Sequence, residues 1–160
     1  MVQRFVKRRH MLFLQDLTVG QRYETSDYNV TEADIVAFAA QFDPQPFHVD
    51  EQAAQHSFFG ELVASGWHVA AISMRLMVQG GPQFAAGIVG LGGELKWRKP
   101  TRPGDTLRVV CEIVDIAESA SNPSRGTITV VNETRNQRDE VVQWFRCALI
   151  VPKRMPPATV

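Results

Sequence analysis

The sequence predicts an α+β fold in which a strongly curved antiparallel sheet wraps around one long, buried helix. Three observations lead there. The periodicities run in the order one strand, then helices, then four strands at antiparallel-hairpin spacing. The helical stretch 62–78 has apolar residues around nearly its whole circumference, so most of its sides must be covered. No apolar run reaches the roughly 20 residues of a membrane-spanning helix, so the cover must be protein.

The chain as a whole sets the bounds. Its 160 residues suit one domain with a substantial core. Hydrophobic residues at 44% and charged residues at 21% are ordinary for a globular protein. Seventeen basic residues balance 17 acidic ones, which removes any global attraction to nucleic acid or anionic membrane. Arg4, Lys7, Arg8 and Arg9 make the N-terminus basic, but Met11-Leu12-Phe13-Leu14 is too short for a signal-peptide core. Residues 1–15 therefore read as a surface arm, with Met11 a candidate start. Cys111 and Cys147 fall in strand-like runs without metal-ligand spacing, and read as buried free thiols of a cytoplasmic protein with no metal.

Each element has its own signal. A turn at 17–21 leads into a strand over 22–30. Thr31 and Asp34 form a capping box, and the helix it opens has Ile35, Val36, Phe38, Ala39 and Phe42 at helical spacing until Pro44 stops it. Pro44 and Pro46 each lack an N–H and push the preceding residue out of the helical region, which predicts a stiff, extended loop to Asp50. A short helical turn follows with Ala53 and Ala54 inward, then a second loop over 57–60. After the buried helix, Leu91, Gly93, Leu95 and Trp97 alternate with polar or small residues. So do Leu107, Val109, Cys111 and Ile113 beyond a turn-rich connection at 100–105. Two further strands, 127–134 and 141–151, are joined by a hairpin turn at 136–139. The domain spans 16–152, and the tail 153–160, with Pro156-Pro157, reads as an end. One such sheet leaves part of the helix and one sheet edge bare, which a second copy would cover, so a dimer is expected.

Candidate chemistry gathers in Phe42-Asp43-Pro44-Gln45-Pro46-Phe47-His48-Val49-Asp50. Asp43 and His48 lie five positions apart, a spacing that on one helix would turn them about 140° from each other. Fixed on a rigid segment instead, a carboxylate and an imidazole can move protons to and from a water. Phe42, Pro46 and Phe47 make the setting apolar, which predicts a raised Asp43 pKa. Either residue alone is more economically a helix-end or satisfied loop residue; together, ahead of the glycine-started helix, they read as a functional pair. His68 reads as core or pocket lining, and His56 and His10 as surface. Ser65 reads as an N-cap or pocket hydroxyl, Ser73 as bonded to its own helix backbone, and Met74 and Met77 as core. Trp67, Phe84, Trp97 and Trp144 are candidates for limiting pocket depth.

These residues, Phe38-Ala39, the 43–50 segment, Ala53, Phe59, Ser65-Gly66 and the run Trp97 … Pro100-Thr101-Arg102-Pro103-Gly104-Asp105-Thr106-Leu107, resemble the MaoC-like dehydratase family, which includes (R)-specific enoyl-CoA hydratases. The resemblance covers roughly 16–151. It implies a hot-dog fold whose dimers share one continuous sheet. The sequence departs from the family's usual pattern: Phe42 precedes Asp43, Gln45 replaces an Asn, and Ser65 replaces a His before Gly66. The resemblance further implies a hydratase or dehydratase acting on enoyl or 3-hydroxyacyl thioesters, with Asp43 and His48 catalytic. Gly66 would offer a backbone N–H to the thioester oxygen, because helix N-termini leave such donors unpaired. Gln45, Phe47, Ser65 and Trp67 would support the pocket. Arg98, Lys99 and Arg102 are candidate contacts for CoA phosphates. No resident cofactor is expected, CoA entering as part of the substrate. A hot-dog acyl-thioesterase, revealed by free-thiol release, and a non-catalytic acyl-thioester-binding subunit, revealed by binding without turnover, are the alternatives.

Overall fold

The structure, a computed structural model, describes residues 11–154. The basic arm Arg4–Arg9, His10 and Pro156-Pro157 lie outside the described residues. Among the described residues there are six strands: β1 (Arg22–Glu24), β2 (Tyr28–Asn29), β3 (Val89–Trp97), β4 (Thr106–Glu118), β5 (Arg125–Arg135) and β6 (Val141–Pro152). Their order is β1-β4-β5-β6-β3, with β2 also against β4, and every pairing is antiparallel. The helices are α1 (Glu32–Phe42), α2 (Pro46–Val49), α3 (Glu51–Gln55) and α4 (Gly66–Gly80). The sheet's inner face, including Val109, Ile113, Ile128, Val130 and Leu149, closes on Val69, Ile72, Leu76 and Met77 of α4 in one buried cluster. This is the hot-dog arrangement.

Local chemistry explains where the elements begin and end, and corrects several expectations. The strand expected over 22–30 breaks at Thr25, whose hydroxyl accepts the Val109 N–H at 3.0 Å in place of a backbone carbonyl. The central helix starts at Gly66, not 62. Leu62 to Ala64 are buried, non-helical backbone tied to Phe47 and Thr101, and the Ser65 hydroxyl caps the Trp67 N–H. The segment after Pro44 is not extended throughout. Pro46 takes the first position of α2, where a missing N–H costs nothing, and His48 sits in that helical turn. The β3 alternation is interrupted by a bulge between Gly90 and Gly92, where Gly92 has φ +132° and Leu91 is left exposed. The described part of the N-terminal arm packs on the domain: Leu12 bridges to Phe84, and Leu14 is buried in the core.

One side of the molecule is bare. Among the described residues β3 pairs only with β6, and its burial pattern is exposed at every position but Leu95. Leu91 and Trp97 on β3 and Trp67, Met74 and Val78 on α4 are exposed large apolar residues, so Met74, expected in the core, is corrected to the surface of the single chain.

Candidate active site

Asp43 is the C-cap of α1, with φ −153° and ψ 67°, so the chain turns there before Pro44. His48 lies in α2 and is buried. The two side chains therefore stand on separate elements, and the turn brings His48 Nε2 to 3.4 Å from Asp43 Oδ2. His48 Nδ1 contacts the Val63 carbonyl at 2.6 Å. A carbonyl only accepts, so Nδ1 donates its proton to Val63, and Nε2 is the nitrogen that faces the carboxylate. Val63 is a site residue that sequence reasoning missed, since it acts through its backbone and its side chain signals nothing.

The carboxylate is held from two other directions. Ser65 Oγ donates to Asp43 Oδ2 at 2.6 Å while accepting the Trp67 N–H at 3.2 Å, and Gln45 Nε2 donates to Asp43 Oδ1 at 2.7 Å. Ser65 is thus both N-cap and site hydroxyl. These contacts, that of Ser65 first, hold the Asp43 carboxyl below its ordinary range against the opposing effect of burial, and His48 adds to the lowering. The raised pKa expected from an apolar setting is corrected accordingly. Phe42 turns outward, 64% exposed against Phe38, and the hydrogen bonds win. Phe47 supports the imidazole edge-on at 4.5 Å between ring centroids and also packs on Phe59.

Asp43, His48, Gly66, Gln45, Phe47 and Trp67 all border one cavity of about 510 Å³. No acceptor for the Gly66 N–H is present among the described residues. The glycine itself has a packing reason unforeseen from sequence: a Cβ there would lie 2.4 Å from Cε2 of Trp97, whose indole rests on the start of α4. Arg98 and Lys99 reach the cavity rim, whereas Arg102 is not among its lining and pairs with Glu61. Lys99 also pairs with Glu140 at 2.5 Å. A second, mainly apolar cavity of about 420 Å³ runs on along α4, bordered by Trp67, Ser73, Met74, Met77, Leu95 and Gln143.

The remaining candidates lie apart from the pair. His68 is buried, stacked on Phe38 at 4.7 Å, and borders neither cavity. His56 is exposed. Ser73 donates to the Val69 carbonyl at 2.7 Å and also meets Thr134. Phe84 is buried in the core away from both cavities. Cys111 and Cys147 are buried free thiols. Among the described residues no three His, Cys, Asp or Glu side chains gather as metal ligands, and no helix is long and apolar enough to cross a membrane.

Residues 15–136 match the MaoC like domain family. A MaoC-like dehydratase from Rhodospirillum rubrum, known from a crystal structure, is 52% identical with a TM-score of 0.88, covering 91% of this chain and 99% of its own. The uncharacterized protein YdeM of Bacillus subtilis is 34% identical over 129 residues, 79% of this chain and 89% of that protein. The 3-hydroxybutyryl-CoA dehydratase of Methylorubrum extorquens is 29% identical over 145 residues, 90% of this chain and 87% of its length. The fold, the matched span and these relatives agree: the chain belongs to the MaoC-like domain family.

Proposed function

We propose that this protein is a hydratase/dehydratase that adds water to, or removes it from, enoyl and 3-hydroxyacyl thioesters, with CoA as carrier. The observation that carries the proposal is the 3.4 Å approach of His48 Nε2 and Asp43 Oδ2 in a cavity that also holds the start of α4. Such a pair is satisfied by a proton on Nε2 or by one water donating to both. The chemistry uses the first state, with the proton on Nε2 and the water donating to Asp43 alone. In hydration, ionised Asp43 takes a proton from the water as its oxygen bonds to the β-carbon. Protonated His48 delivers the Nε2 proton to the α-carbon, and Asp43 then returns its proton to Nε2. Charge building on the thioester oxygen meets the Gly66 N–H at the positive end of α4. Acid–base work of this kind is worth about 10²–10⁴-fold.

The loss of enoyl-thioester absorbance measures the reaction. Asp43→Asn and His48→Ala should each lower kcat by at least about 10²; wild-type rates in both would sink the mechanism. Ser65 is fully buried and its hydroxyl is already engaged with Asp43 and the helix cap, which argues against a serine nucleophile and a thioesterase.

Partners follow from the same surface logic. Arg98 and Lys99 at the rim suit the phosphates of CoA. Charge reversal at both should raise KM in a salt-dependent way, and an unchanged KM removes the contact. The bare β3 edge and α4 flank fit a second copy pairing β3 to β3. A dilute-solution mass equal to one chain would overturn the dimer. Buried reduced thiols fit a cytoplasmic setting.

A further inference from the structure

We infer that Trp97 is a specificity-determining residue: its indole closes the passage between the cavity of Asp43 and His48 and the apolar cavity beyond it, with Gln143 as the latch. The inference rests on the acyl-thioester reading above and adds which acyl groups pass. Three observations converge on it. The ring lies on Gly66, the end of α4 where a thioester must sit for its oxygen to reach the N–H; a Cβ at Gly66 would meet three of its atoms at 2.4–2.8 Å. It also meets Trp67 edge-on at 5.2 Å between centroids, and Trp67 borders both cavities. Finally, Trp97 borders only the first cavity and Gln143 only the second, so the 3.1 Å bond from Trp97 Nε1–H to Gln143 Oε1 spans the partition.

The latch is anchored and the gate is not. Gln143 is 2% exposed, and its Nε2 donates to Ser73 Oγ at 3.2 Å, itself bonded to α4 and to Thr134. Trp97 is 46% exposed in the single chain and is held by its one bond to Gln143 and by its contact with Trp67. Opening loses one hydrogen bond and the ring contacts. A short acyl group gains nothing beyond the partition and leaves the ring in place. A longer chain reaches Met74, Met77 and Leu95 along α4 and offsets the opening by apolar burial.

The test measures kcat/KM for crotonyl and trans-2-decenoyl thioesters of CoA in the wild type, Trp97→Ala, Trp97→Phe, Gln143→Leu and the Trp97→Phe/Gln143→Leu double variant. Trp97→Ala should raise the decenoyl-to-crotonyl ratio by about tenfold or more, the scale on which apolar pockets discriminate chain length. Trp97→Phe and Gln143→Leu each remove the same bond, so they should shift the ratio alike, and the double variant no further than either. A wild-type ratio in a folded Trp97→Ala protein overturns the inference, as do independent, additive shifts from the two bond-removing variants. If the wild type turns over no enoyl thioester, the hydratase reading fails by itself. The gate is then decided by calorimetric binding of butyryl-CoA and decanoyl-CoA, with the same ratio expected to rise in Trp97→Ala and an unchanged ratio overturning it.

Discussion

Ser65→Ala tests how the carboxylate is held, because one hydroxyl serves two masters. It donates to Asp43 at 2.6 Å and accepts the Trp67 N–H at 3.2 Å. Loss of an N-cap typically costs about 1 kcal/mol, and a hydrogen bond to a charged group contributes about 1.5–3 kcal/mol. Both losses fall on one buried group whose neighbours remain bonded, Asp43 to Gln45 and His48, so the sum is taken low, at about 2 kcal/mol. For a chain of this size that lowers Tm by about 4–8 °C. The kinetic consequence has a fixed sign. Ser65 is the largest influence lowering the Asp43 pKa, and burial acts the other way, so the substitution raises it. The acid limb of kcat/KM against pH, followed by enoyl-thioester absorbance, then moves to higher pH. Linkage agrees: a depressed carboxyl pKa adds stability that is present above the unfolded value of about 3.9 and is lost as pH falls through the folded one. Part of that increment disappears in Ser65→Ala. An acid limb that stays in place while Tm falls would show that the hydroxyl only caps α4, and the account of Asp43 would be wrong.

Other outcomes follow from single features. Burial lowers the pKa of His68 against the weaker opposing pull of Asp34, so neutral His68 is the folded form. Its folded pKa lies below the unfolded value of about 6.5, so stability is fully present above that value and declines as pH falls from there toward the folded value. His68→Phe should flatten the fall in urea midpoint as pH drops below about 6.5; an unchanged slope excludes His68 as its source. Burial pushes the Cys111 thiol up to about 12 and the Cys147 thiol to about 11. Native protein should therefore react with a thiol reagent only on unfolding, and rapid labelling of either would contradict the packing. Ile128 is fully buried between sheet and helix, so Ile128→Ala should cost about 2–5 kcal/mol in denaturant unfolding. A loss below about 1 kcal/mol would mean the site collapses freely.

The sequence by itself determined that the apolar stretch 62–78 packs as a helix on the sheet, although Trp67, Met74 and Val78 stay exposed in the single chain, and it determined the strands of the sheet through their alternation. It also made Asp43 and His48 a pair, since two prolines keep them off a common helix. Tertiary structure decided what no local pattern encodes. The Asp43 environment turned polar because Ser65 and Gln45 converge on it and Phe42 swings outward. His48 took its tautomer from the backbone of Val63, 15 residues away. Gly66 and Trp97 met across 31 positions of sequence because the edge strand ends against the start of the helix. Periodicity reports which side of an element avoids water; hydrogen-bond partners and ring contacts depend on which elements arrive beside it, and that is fixed only when the chain closes.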